Sequence, residues 1–173
     1  MCIRDSILKK YFIQLLIRLN KYISNSGVCS RREADVLISD GKIMINNVVI
    51  TALGTKVKSD DIVSYNGKVL KAEKHKYILI NKPKNCITTV KDTHDRKTVM
   101  DIIDGACVER LYPVGRLDRD TTGLLLMTND GDLTKRLTHP SFGVKKKYVI
   151  QLENSIHPKC LKEMVSGIHL EDG

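Results

Sequence analysis

The sequence predicts an α+β chain: a small helix-turn-helix-plus-hairpin domain followed by a larger domain built on a mixed sheet. Three observations predict it. Apolar residues make up 42% of the 173, enough to bury a core and to exclude wholesale disorder. Strand-like apolar runs outnumber helical patterns and alternate with them only loosely, which favours α+β over a regular series of βαβ units. A Lys-rich, apolar-poor stretch near residues 65–76 separates two well-patterned regions, as expected of a linker between two small domains.

Residues 1–16 read as a leader. In ILKKYFIQLLI (7–17) two lysines precede an apolar run, but no small-x-small cleavage site comes after it, so a leading helix or an untidy terminus is expected rather than a signal peptide. The opening MCIRDS looks foreign to the rest of the chain and resembles translated adapter sequence. No apolar run approaches the ~18–20 residues that span a bilayer.

The first domain is expected over 17–64. Leu19, Tyr22 and Ile23 share one helical face at i, i+3, i+4, and Gly27 stops that helix. Ser30-Arg-Arg-Glu33 is a capping box, Ala34, Leu37 and Ile38 form the buried stripe, and Gly41 closes the second helix. Ile43 and Ile45 alternate toward Asn46-Asn47, a pair tolerant of positive φ, and Val48-Val49-Ile50 returns as a hairpin.

Residues 65–76 read as a basic linker, carrying Lys68, Lys71, Lys74 and Lys76. In the second domain, expected over 77–173, Tyr77–Ile80 is a short buried strand ended by Asn81-Lys-Pro-Lys-Asn85, because Pro83 cannot donate to a ladder. A short helix over Thr98–Ile103 comes next, then strands at Leu111–Val114 and Leu124–Thr128. The Asn129-Asp-Gly131 turn opens a helix from Leu133, and Tyr148–Leu152 is a further strand candidate.

Net charge is +9, with 13 basic against 7 acidic side chains in residues 1–75 and 16 against 13 in residues 76–173. A polyanion is therefore the first partner to consider. Two Phe, six Tyr and no Trp argue against an aromatic channel that stacks successive bases. Arg31 and Arg32 fall in the first turn of the second helix, where dipole logic prefers acids; beside free amides they suit phosphate instead. With Arg18, Lys21 and Lys42 on neighbouring elements, the pattern points to nucleic acid. The five cysteines (Cys2, Cys29, Cys86, Cys107, Cys160) are odd in number and contain no C-x-x-C, which excludes a disulfide framework and the usual zinc spacings and suits a reducing cytoplasm. The histidines show neither H-x-H nor H-E-x-x-H, so no metal is expected.

RLNKYISNSGVCSRREADVLISDGKIMINNVVI resembles the small RNA-binding domain named after ribosomal small-subunit protein four. The resemblance implies docking on structured RNA, mostly by shape and phosphate contacts.

The segment with the strongest chemical content is Gly115-Arg-Leu-Asp-Arg-Asp-Thr-Thr-Gly123, which joins two strand candidates. Asp120 reads as a turn residue. Asp118, between Arg116 and Arg119, reads as a carboxylate kept ionised by its neighbours, fit to act as nucleophile or base. A two-magnesium nuclease using Asp118, Asp120, Asp130 and Asp132 is the rival chemistry, but Asp130-Gly-Asp132 falls on a turn into a helix, where acids are expected anyway. Lys145-Lys-Lys-Tyr148 reads alone as a protected strand edge with a packing Tyr.

Taken together, Lys82-Pro-Lys84 and LYPVGRLDRDTTGLLLMTNDGDLTKRLTHPSFGVKKKYV (111–149) resemble the ribosomal-RNA pseudouridine synthases that join a protein-four-type domain to a catalytic domain, with the large-subunit type favoured. The resemblance implies that Asp118 is the catalytic residue and that Tyr148 stacks on the flipped base. It also implies that Arg116, Lys82 and Lys84 lie near the site as RNA contacts and structural support, and that ribosomal RNA, with that of the large subunit favoured, is the partner. Asn85 stands where the family usually has Gly, a change the turn survives because Asn tolerates left-handed angles. Family members continue for some tens of residues beyond Gly173, so the chain is expected to be truncated. Isomerising uridine oxidises nothing and calls for no redox cofactor, and neither G-x-G-x-x-G nor a P-loop is present. The alternative is a non-catalytic, ribosome-associated RNA-binding protein, which would need neither Asp118 nor Tyr148.

Overall fold

The computed structural model describes residues 16–168 and falls into two units divided between Phe142 and Gly143. Residues 1–15, which hold nearly all of the expected leader, and residues 169–173 lie outside the described residues.

The first domain opens with strand β1 (Ile17–Arg18), helix α1 (Leu19–Asn25) and helix α2 (Arg31–Ser39). Leu19 and Ile23 on α1 and Ala34 and Ile38 on α2 are buried, each pair at the i, i+4 spacing that stacks side chains on one helical face. Gly27 turns the chain between the helices with φ of 76°, and a Cβ there would strike the Glu73 carboxylate. The capping box forms in both halves: Ser30 Oγ accepts from the Glu33 amide at 3.3 Å, and Glu33 Oε2 accepts from the Ser30 amide at 2.7 Å.

A four-stranded antiparallel sheet comes next, ordered β3-β2-β5-β6, from β2 (Ile43–Ile45), β3 (Val48–Ile50), β5 (Val63–Tyr65) and β6 (Lys68–Val69); β4 (Lys56–Val57) pairs with β1 instead. Asn46 and Asn47 make the β2–β3 turn at φ of 51° and 66°. The start of the expected linker is structured instead. Asn66-Gly67, a strong hairpin signal, folds Lys68–Val69 back on β5, and Leu70 enters the core with Leu19, Ile23, Ala34, Ile38 and Ile43.

In the second domain β7 (Tyr77–Lys82), β8 (Tyr112–Pro113) and β9 (Gly123–Thr128) form a sheet ordered β7-β9-β8. Its ladders are antiparallel, and the parallel contact among the described residues is the isolated bridge Ile87–Thr98. The α+β class thus holds. Ile80, Leu125 and Met127 face inward onto Cys86, Val99, Ile103 and Leu111, while Tyr77, Leu79 and Leu124 on the other face are exposed. Helix α3 (Val99–Ile102) is capped by Thr98, and helix α4 (Gly131–Thr138) by Asp130.

In the unit beginning at Gly143, helix α5 (Pro158–Ser166) starts at a His157 cap. The strand expected over Tyr148–Leu152 is irregular chain. A strand exists only through a hydrogen-bonded neighbour, and residues 148–152 pair with no strand among the described residues.

Two outcomes test these local forces. Ser30→Ala removes a side-chain cap and should lower stability by about 1 kcal/mol, read from the urea midpoint. The Asp130 carboxylate accepts the amides of Leu133 at 2.9 Å and Asp132 at 3.1 Å and the Tyr77 hydroxyl at 2.9 Å. These bonds, the Leu133 amide first, hold its pKa below the ordinary carboxylate value. Because the folded value is the lower one, its contribution is full above the unfolded value of about 4 and is lost as pH falls through the folded value. Asp130→Asn should flatten the fall in urea midpoint between about pH 5 and pH 2; an unchanged acid limb assigns that fall to other groups.

Candidate active site

The loop from Val114 to Thr122 leaves β8 and returns into β9, with Asp118 at its centre. Asp118 is exposed, as are Arg116 and Arg119 on either side. Neither arginine forms an ion pair with it among the described residues. Adjacency in a loop does not bring these side chains together, so the expected local charge pairing is absent.

The loop is instead gripped through its backbone. Thr88 Oγ1 donates to the Leu117 carbonyl at 2.7 Å and accepts from the Leu117 amide at 3.2 Å. On the other side of Asp118, the Arg119 carbonyl accepts from Lys82 Nζ at 3.0 Å and from the Cys86 amide at 3.4 Å. The Thr121 amide donates to the Asp118 carbonyl at 3.1 Å. The residues immediately before and after Asp118 are thus pinned, while its carboxylate stays accessible.

Lys82 corrects an expectation. In place of an RNA contact stands a fully buried side chain, whose ammonium donates to the carbonyls of Pro83 and Arg119. The strand runs two residues beyond its expected end, and its alternation carries Lys82 to the inward face. It supports the loop from the interior. Asn85 has φ of 57°, the left-handed conformation expected in place of the usual glycine.

Among the other expected RNA contacts, Arg18, Arg32, Lys84 and Arg116 are exposed. Lys42 is paired with Asp40 at 2.8 Å. Lys21 is bound to Asp132 of α4 at 2.5 Å, so its charge is engaged within the protein. The helix end beside Arg31 and Arg32 is also less open than expected, because Glu33 and Ser30 occupy each other's amides. Asp130 and Asp132, the remaining acids of the nuclease rival, are engaged as helix cap and ion pair. Tyr148 lies in the unit after Phe142, exposed in irregular chain. Sequence reasoning missed Thr88, which sits in a polar stretch without periodicity.

Residues 17–63 match the S4 domain family model. Residues 76–169, more than half the chain, match the model described as RNA pseudouridylate synthase. The chain belongs to the RNA pseudouridylate synthase family. Among family members, it is 43% identical over 159 residues to an uncharacterized RNA pseudouridine synthase of Aquifex aeolicus, covering 91% of this chain and 64% of that one. It is 41% identical over 156 residues to the ribosomal large subunit pseudouridine synthase B of Bacillus subtilis, covering 90% and 64%. To the dual-specificity RNA pseudouridine synthase RluF of Escherichia coli it is 36% identical, covering 88% and 52%. The chain therefore spans just under two thirds of the length of the first two pseudouridine synthases and about half of the third.

The clamp on the Asp118 loop is testable in any active form of the protein. Thr88→Val should cost about 1 kcal/mol of stability and lower kcat for pseudouridine formation at least tenfold with KM for RNA within twofold. Lys82→Met, which takes the ammonium from the Pro83 carbonyl and leaves the Arg119 carbonyl only the Cys86 amide, should cost roughly 1–3 kcal/mol. An unchanged kcat in Thr88→Val would show that the loop does not need this anchor.

Proposed function

We propose that the protein is an isomerase that converts a uridine of ribosomal RNA, in the large subunit, to pseudouridine. The observation that carries the reading is Asp118: an accessible carboxylate whose two chain neighbours are fixed by Thr88, Lys82 and Cys86, in a chain of this family. The large-subunit assignment is supported by the name of the Bacillus subtilis relative.

The reaction breaks the bond between ribose C1′ and uracil N1, turns the base, and joins C1′ to C5. The proton leaving C5 is balanced by one gained at N1, so no electrons are exchanged with a cofactor. Asp118 serves either of two routes. Its oxygen attacks C1′ and forms an ester that C5 later displaces, as in covalent glycosidase chemistry; or it removes the 2′ proton to leave a glycal and returns that proton after the new bond forms. In both, uridine must first leave its stack at a cost of a few kcal/mol, which stacking on Tyr148 and cationic contacts from Arg18, Arg31, Arg32, Lys84 and Arg116 offset. The free thiols Cys29, Cys86, Cys107 and Cys160 support a reducing, cytoplasmic location.

Asp118→Asn in the intact protein should keep RNA affinity and form no product; turnover at a tenth of wild type would remove Asp118 from the chemistry. Pseudouridine mapping of ribosomal RNA from cells with and without the intact gene identifies the subunit and the nucleotide. Full RNA binding with no site lost on deletion would favour a docking protein without catalysis.

A further inference from the structure

A cavity of about 640 Å³ opens between the two domains of the unit ending at Phe142. On one side are the end of α1 and the start of α2; on the other are the approach to β8 and helix α4. Arg31 enters from α2, Arg110 from the segment before β8, and Lys135 from α4, with Tyr112 between them. None of the three cations is in an ion pair among the described residues.

Nearby acids have other partners. Glu33, whose charge faces Arg110, is held by the Ser30 amide and hydroxyl. Asp130 caps α4, and Asp132 is bound to Lys21. Cations gathered in a concave, low-dielectric wall focus a positive field, and here no carboxylate within ion-pair distance cancels it. Gly131 lies at the convergence: a Cβ there would stand 3.2 Å from the Tyr112 hydroxyl and 3.5 Å from Arg31 Nη2. The cavity volume falls in the range of about 300–1,000 Å³ typical of ligand sites.

We infer that this cleft is a phosphate site for the RNA backbone, built jointly by the two domains and separate from the contacts on either domain alone. It rests on the RNA substrate proposed above. Two guanidinium forks and an ammonium suit a phosphodiester flanked by riboses. The cleft also leads toward the chemistry. Thr138, on its wall, has its methyl 3.8 Å from where a Gly115 Cβ would stand, and Gly115 is the second residue of the loop that carries Asp118. A strand seated between Arg31, Arg110 and Lys135 therefore passes the base of that loop, and one phosphate neutralises cations from both domains at once.

The test uses the full chain and unmodified ribosomal RNA transcribed in vitro. Arg110→Gln/Lys135→Gln should reduce the slope of log affinity against log salt by roughly 0.7, the share of one single-strand phosphate. KM should rise about tenfold with kcat within twofold, because a contact made equally in ground and transition states affects only binding. The charge-keeping pair Arg110→Lys/Lys135→Arg should restore both, which separates lost charge from lost folding. Lys97→Gln/Arg136→Gln removes the same charge outside the cleft; a slope change in the cleft pair no larger than in this control overturns the site. If wild type binds RNA but makes no pseudouridine, the catalytic reading fails while the cleft stands on its slope. If wild type binds no RNA, both fall.

Discussion

A buried ammonium is stabilising only when its protons are met, because taking a charge out of water otherwise costs several kcal/mol. The second domain holds such a group at the end of its longest inward-facing strand pattern. Lys82 is sealed from solvent, and its ammonium rests on two carbonyls, one next to it in the chain and one at Arg119, thirty-seven residues away. The second contact sets where the loop between β8 and β9 can lie. With Thr88 holding Leu117 from the other side, the position of Asp118 is set by packing in the core rather than by its own side-chain bonds. The loop is therefore placed by Lys82 and Thr88 through its backbone, while the Asp118 carboxylate is left open.

Charge is distributed between the domains by the same logic. Some cations are neutralised internally: Lys21 by Asp132, Lys42 by Asp40, Lys76 by Glu109. Of the cations left without an ion pair, Arg31, Arg110 and Lys135 meet where α2, α4 and the approach to β8 come together. The Lys21–Asp132 pair matters for this result, since it engages an acid next to Gly131 on the cleft wall. Net charge alone conveys none of this selectivity; it is a property of which pairs the fold closes.

Much of the first domain was legible because its signals are local. Ser30 with Glu33, the Asn46-Asn47 turn and the i, i+4 stripes on both helices each act within a few residues, and the structure contains all of them. The left-handed turn at Asn85 was legible for the same reason. Legibility failed where the decisive contact is distant. Pro83 suggested that the strand ended at Ile80, yet the alternation Ile78, Ile80, Lys82 continues inward, and the partner that makes burial tolerable lies across the fold. Thr88 has no periodic or motif signal at all, and Arg110 and Lys135 become neighbours of Arg31 only through tertiary packing. Tyr148–Leu152 has strand-like composition, but composition supplies no hydrogen-bonding neighbour.

The outward face of the β7–β9 ladder has a colloidal consequence. Leu79 and Leu124 are 63% and 73% exposed, with Tyr77 beside them, so the span carries a greasy wall on a molecule whose net charge is +9. At low ionic strength like-charge repulsion keeps such molecules apart. At about 1 M salt the screening length shrinks to about 3 Å, and apolar attraction between walls is left unopposed. High salt is thus the condition under which its molecules most readily stick to one another.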